Sequence, residues 1–227
     1  MHTLEGMTVA ITGGFGNLGL AAARVLADRG AHIALIGHSG KADVMPEALA
    51  VTGIDLSDEH AAKKAIDSIA AQFGGLNALV NIAGAFRWET IGEGQAQTWQ
   101  TLFDINVKTA LNASKAALGH LSDGGRIVNV GALAAFKAGA GMGAYAASKA
   151  ALLRMTEALA EELKERGVTV NAVLPSIIDT PANRADMPDA DFTRWVKPEE
   201  IGAVIAFLLS RDAQCITGAS IPIAGRV

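Results

Sequence analysis

The feature that most constrains the fold is the segment VAITGGFGNLGLAAARVLADRG, Val9–Gly30. It reads as a buried strand, a glycine-rich turn and a helix. Gly13, Gly16 and Gly19 have the spacing of a dinucleotide fingerprint, in which the first glycine allows a sharp turn, the second lets backbone approach a pyrophosphate and the third lets the helix lie close to the sheet. The helix N-terminus then offers free N–H groups and the positive end of a dipole to phosphates. A lone motif of this kind is also met in purely structural turns; the strand before it and the helix after it are what give it weight.

The rest of the chain continues the alternation. MTVAITG, AHIALIG, AVTGIDL, NALVNIAG, RIVNVGA, VTVNAVLP and ASIPIAG read as strands. Helical patterns lie between them at Leu18–Arg29, Glu59–Phe73, Gln97–Leu121, Ala144–Arg166 and Pro198–Leu209. Such alternation implies an α/β fold: one Rossmann-like, doubly wound domain over residues 1–227, with a mainly parallel seven-stranded sheet and helices on both faces. Two segments break the rhythm. GHSGKADVMPEALA is too short for a full crossover helix and leaves room for a single turn. The proline-rich stretch from Pro175 to Glu200 follows the C-terminal end of a strand, where open α/β sheets bind ligands, so it is expected to cover a substrate.

Composition narrows the partners. The net charge of −4 disfavours nucleic acid and anionic membranes, and no apolar run approaches membrane-spanning length. A single cysteine, Cys215, suits a reducing compartment, and the N-terminus enters a strand almost at once, so a cytoplasmic protein is expected. The five histidines show no metal-ligand spacing, so no metal site is expected.

Two further places carry chemistry. After the second strand, where an NAD site usually offers a carboxylate to the ribose hydroxyls, stand Gly37, His38 and Ser39, followed by Lys41. Nothing there repels a 2′-phosphate and three side chains can donate to one, so NADP is favoured over NAD; read alone, the segment is also an ordinary turn. Tyr145, the only tyrosine, and Lys149 are one helical turn apart on the same face. A nearby ammonium lowers a phenol's pKa and suits the pair to proton transfer, although this spacing is common on helix surfaces.

In combination and order, TGGFGNLG (Thr12–Gly19), GIDL, NIAG (Asn81–Gly84), FDINVKTAL, YAASK (Tyr145–Lys149), NAVLPSIIDT (Asn171–Thr180) and ITGASIPIAG resemble the short-chain dehydrogenase/reductase family, over nearly the whole chain. The resemblance implies an NAD(P)-dependent oxidoreductase with Tyr145 as general acid or base, Lys149 binding ribose and lowering the tyrosine pKa, and Asn106 holding a water. It implies a cofactor site made by Gly13, Phe15, Gly16, Asn17, Leu18, Gly19, His38 and Ser39, with Asp55 and Leu56 facing the adenine. Asn81, Ala83, Gly84 and Asn129 would line the ribose side, and Pro175, Ile178 and Thr180 would hold the carboxamide. Read alone, Asn106 is a helix-interior amide and Asp55 a capping residue; only the joint pattern lifts them. A homodimer or homotetramer, paired through the long helices Gln97–Leu121 and Ala144–Arg166, is also implied.

The chain departs from the family pattern most at one point. The family's serine stands thirteen residues before the tyrosine, and that position is Ala132, with no Ser or Thr between it and Tyr145. Loss of such a donor costs about 10²–10³ in rate for a carbonyl substrate. GALAAFKAGAGM (Gly131–Met142) and IDTPANRADMPDADFTRW (Ile178–Trp195) resemble the dihydropteridine reductase branch, which also lacks the serine and reduces a quinonoid pterin. That branch carries an acid where this chain has Gly37. Phe86 and Trp88 are the aromatic candidates for stacking on a flat substrate, or equally for capping the core. A ketone or 3-oxoacyl reductase, and a nucleotide-binding protein without catalysis, remain as alternatives.

Overall fold

The computed structural model describes residues 4–40 and 42–227. Lys41 lies outside the described residues. Seven parallel strands form one sheet in the order β3-β2-β1-β4-β5-β6-β7: β1 Thr8–Thr12, β2 His32–Ile36, β3 Leu49–Val51, β4 Leu76–Asn81, β5 Leu121–Val130, β6 Thr169–Pro175 and β7 Ser220–Ile223. The doubly wound sheet expected from the alternation is present, and it is parallel throughout.

The central strands are apolar on both faces because helices cover both. Val9, Ile11, Val128 and Val173 pack with α1 (Asn17–Ala27) and α7 (Pro198–Leu209) on one side. Ala10, Leu79, Ile127 and Val170 pack with α2 (Glu59–Phe73), α4 (Thr109–Ala117) and α5 (Gly143–Leu163) on the other. That two-sided burial removes the polar alternation an exposed strand would show. α1 and α7 approach closely at a glycine: a β-carbon on Gly202 would lie 3.1 Å from Ala22 Cα.

The helix ends obey local chemistry. Asp58 caps α2 by accepting the Ala61 N–H at 2.8 Å, and Gly74 ends it at φ 75°. The helix expected over Gln97–Leu121 is three pieces: α3 (Ala96–Phe103), a π-helical turn at Asp104–Lys108, and α4. It stops at Ala117, and Leu121 already belongs to β5, where it pairs with Leu76. The π turn admits one extra residue and carries Asn106, fully buried. α5 likewise ends at Leu163, continuing as one 3₁₀ turn over Lys164–Arg166. The short β2–β3 connection holds a single 3₁₀ turn, Ala42–Val44.

After β6 the chain forms a cover with its own structure. Ile178 and Val196 bridge as parallel strands, Thr180 caps the short helix α6 (Pro181–Asp186) by accepting the Asn183 N–H, and Arg184 makes two contacts to Asp179 at 2.6 and 2.8 Å. Among the described residues no helix is long and apolar enough to cross a membrane.

Candidate active site

The C-terminal ends of β1, β2, β4, β5 and β6 open onto one cavity of about 1300 Å³. Single ligand pockets run to about 1,000 Å³, so this one has room for an extended cofactor and a substrate together.

Its first wall is the β1–α1 turn. Gly13 has φ 65°, and a β-carbon there would stand 2.7 Å from Ala83 N, at the end of β4. A β-carbon on Gly19 would strike the Gly13 carbonyl. The loop is drawn tight against its neighbours, as only glycine permits. Gly16 precedes α1 without a side-chain cap, and the first turn of α1 carries no acid, so its N–H groups stay available. Gly13, Phe15, Gly16, Asn17, Leu18 and Gly19 all line the cavity. An uncapped helix start behind a glycine cradle fits the pyrophosphate of a nicotinamide dinucleotide.

The second wall is the end of β2. Gly37, His38 and Ser39 line the cavity, with His38 and Ser39 exposed. Asp55 and Leu56 do not line it. Asp55 is exposed and accepts from the Ser57 hydroxyl at 2.7 Å and the Ser57 N–H at 2.9 Å, which hold its carboxyl below the usual range; Leu56 is buried.

Behind the cavity runs a buried polar ladder. The Asn81 amide donates to Asn129 Oδ1 at 2.9 Å and to Ser114 Oγ at 3.1 Å, and the Asn129 amide donates to Thr156 Oγ1 at 2.8 Å. Thr12 Oγ1 accepts the N–H groups of Ile82 and Ala83. These side chains lock the ends of β1, β4 and β5 in register. Asn81 and Asn129 are not among the lining residues, whereas Ala83 and Gly84 are.

Tyr145 and Lys149 meet the cavity from α5. Burial pushes the Tyr145 phenol up to about 12, and its hydroxyl has no hydrogen-bond partner among the described residues. Lys149 is buried; its Nζ donates to the Val130 carbonyl at 2.8 Å, and burial pushes its pKa down to about 8. Burial is the leading influence on both residues. The result is a phenol that stays protonated at neutral pH, beside an ammonium that is still mostly charged there.

Asn106 is close to these groups but does not line the cavity. Its Oδ1 accepts the Ala85 N–H at 2.8 Å, and its amide donates to the Ala85 carbonyl and to Ser148 Oγ, each at 3.0 Å. Ser148 Oγ in turn donates to the Tyr145 carbonyl at 2.7 Å. Asn106 thus ties the turn after β4 to the helix that carries Tyr145, a positioning role made by its side chain. Gly84 lies close against the same groups: a β-carbon there would lie 2.8 Å from Asn106 Oδ1 and 3.2 Å from Lys149 Nζ.

The rest of the cavity wall is built differently. Ala132 lines the cavity at the expected serine position and is buried. Phe86 and Trp88 also line it, both well over half exposed. The Phe86 ring meets Tyr145 edge-on, with centroids 5.0 Å apart. Trp88 also braces the backbone, since its Nε1 donates to the Ala140 carbonyl at 3.0 Å and its ring lies where a β-carbon of Gly141 would be. It holds down the loop that leads into α5. Pro175, Ile178 and Thr180 line the cavity as expected. Sequence reasoning passed over Lys137, Asn183, Asp186 and Val227, which line it too. Asn183 and Asp186 sit in the covering segment already marked as functional, whereas nothing in the sequence marks Val227.

Comparison with known proteins agrees with this geometry. A family model described as enoyl-(acyl carrier protein) reductase matches residues 15–225. The 3-oxoacyl-(acyl-carrier-protein) reductase of Vibrio cholerae is 31% identical, over 98% of this chain and 97% of its own length. A cyclic-di-GMP-binding biofilm dispersal mediator protein of Escherichia coli is 33% identical, over 96% of each. A short-chain dehydrogenase of Burkholderia cenocepacia, solved in complex with NADP, superposes with a TM-score of 0.90 at 35% identity, covering 98% of each chain. The chain belongs to the short-chain dehydrogenase/reductase family and is an NAD(P)-dependent oxidoreductase.

Proposed function

We propose that this member of the family reduces a small organic substrate at the expense of NADPH, with Tyr145 as the proton donor. When bound, the reduced nicotinamide supplies the hydride. The glycine cradle and the start of α1 would hold the pyrophosphate, His38 and Ser39 the adenosine end, and Pro175, Ile178 and Thr180 the nicotinamide end. Tyr145 would deliver its phenolic proton to the substrate atom that gains negative charge. The Lys149 ammonium, held by the Val130 carbonyl, would stabilise the phenolate left behind.

The observation that carries this reading is the neutral, unpartnered phenol of Tyr145 facing the same cavity as the cradle. Burial keeps this phenol protonated at neutral pH, the form that a proton donor in reduction needs. The preference for NADPH rests on the absence of a carboxylate at the end of β2.

Ala132 bears on the substrate. Without the serine hydroxyl, the site favours an acceptor whose developing charge is spread over a conjugated system, such as a quinonoid dihydropterin. A second reading, reduction of a 3-oxoacyl or other ketone, is favoured by the Vibrio relative. A third, nucleotide binding without catalysis, draws on the name of the Escherichia relative and has the retained Tyr145, Lys149 and Asn106 against it. Turnover of a quinonoid dihydropterin with NADPH, measured beside simple ketones and a 3-oxoacyl thioester, separates them. Brisk pterin reduction supports the first reading, ketone reduction alone the second, and no turnover of any acceptor the third.

A cytoplasmic homodimer or homotetramer belongs to the same proposal. Trp99, Phe103 and Leu111 are apolar and exposed along α3 and α4, the segments expected to pair.

A further inference from the structure

The end of β2 holds more than the absence of an acid. Phe15, in the glycine loop, lays its ring across the turn that follows β2. A β-carbon built on Gly37 would stand 2.7 Å from Phe15 Cδ2 and 3.4 Å from Cε2. A β-carbon on Gly40 would fall on the same ring, nearest Cγ. Both glycines are therefore in contact with one aromatic side chain that comes from a different βα turn.

Gly37 and the loop that carries Phe15 are both tied in place. The Gly37 N–H donates to the Val51 carbonyl at 3.1 Å, and the Gly37 carbonyl accepts the Ile54 N–H at 3.2 Å. The Gly14 N–H donates to the Ile36 carbonyl at 3.1 Å, which ties the loop bearing Phe15 to the end of β2. Phe15 itself packs against the buried cluster beneath α1 and α7. Phe15, Gly37, His38 and Ser39 all line the cavity, so this contact lies within the ligand space.

We infer that Phe15 is a cofactor-selectivity residue. Its ring fills the space from which an acidic side chain at position 37 would grip the ribose hydroxyls of NADH, and it leaves the His38–Ser39 turn as the polar surface for a 2′-phosphate. The inference rests on the NADPH reading for its biological direction. The steric competition between positions 15 and 37 stands independently of it. An acid at position 37 is thus incompatible with Phe15, and cofactor preference is set by the pair together.

The test is binding, read by the fluorescence of NADPH and of NADH titrated with the wild-type protein, Gly37→Asp, Phe15→Ala and the double variant. Gly37→Asp alone is expected to weaken NADPH without gaining NADH, because the ring displaces the carboxylate. The double variant is expected to bind NADH about tenfold more tightly than Gly37→Asp, the worth of one hydrogen bond to a charged group. If Gly37→Asp alone binds NADH as tightly as the double variant, Phe15 is no obstacle and the inference is overturned. Should Gly37→Asp not fold, Gly37→Ala carries the same question: weakened binding of both cofactors, restored by adding Phe15→Ala, supports the competition, and unaltered binding overturns it. A wild-type protein that prefers NADH refutes the NADPH reading, while the non-additivity of positions 15 and 37 still decides the role of Phe15.

Discussion

The two halves of the cavity are made of different material. The half proposed to hold the cofactor is backbone: glycines at 13, 16, 19 and 84, an uncapped helix start, and strand ends locked by the Thr12–Asn81–Asn129 ladder. The half proposed to hold the substrate is side chain: Phe86, Trp88, Lys137, Met142 and the segment after β6, much of it exposed. A backbone cradle tolerates little change. A side-chain wall admits substitution, and the Ala132 position is where this chain departs from the family pattern.

If that contrast is right, the largest effect comes from a small change in the cradle. Gly19→Ala forces a β-carbon against the Gly13 carbonyl and 2.8 Å from Gly14 Cα, with backbone on both sides. Overpacking of this kind costs about 1–3 kcal/mol. Thermal melting and NADPH titration are expected to show a lower Tm and weakened binding together; an unchanged affinity would break the contrast at its stronger side.

A comparable change on the substrate wall is expected to be tolerated and to alter specificity. Ala132→Ser restores a hydroxyl at the position where the family carries its donor. Ketone reduction is expected to rise, by up to about 10²-fold, with Tm and NADPH affinity little altered. No gain with any ketone means that another group already serves as donor, and Ala132 then says nothing about the substrate.

The smallest effect lies at the junction of the halves and is read by pH. Burial brings Lys149 down from an ordinary value of 10.5 to about 8. As pH rises through about 8 the ammonium loses its charge and no longer supports a phenolate at Tyr145, so kcat/KM for reduction is expected to fall there. The phenol, near 12, adds no limb of its own below pH 10. Lys149→Arg keeps its charge to far higher pH and is expected to move the limb upward. A limb that stays in place in that variant assigns it to another group.

The same contrast explains what was legible in the sequence. Strands buried on both faces and a cradle that only glycine can form leave strong marks, so the sheet and Gly13–Gly19 could be read directly. Contacts between distant side chains leave none. The Trp88 indole binds a carbonyl 52 residues away, and Phe15 meets Gly37 across two separate βα turns. Asn81 and Asn129 were expected at the ribose side; their amides instead join strands behind the cavity, a distinction that depends on which way each side chain leaves its strand. The π turn at Asp104–Lys108 is invisible to helical periodicity because it adds one residue without a glycine or proline to mark it. Lys149 and Tyr145 could be paired by spacing, but the effect of burial on their pKa values could not be read from spacing at all.

The central claim is that Tyr145 supplies the proton in a site otherwise built to bind. Tyr145→Phe removes only the hydroxyl, leaving the ring and its contact with Phe86. NADPH-dependent turnover of the best acceptor should fall by about 10²–10⁴-fold while NADPH binding stays within about twofold of wild type. Turnover that survives the loss of the hydroxyl would contradict the account.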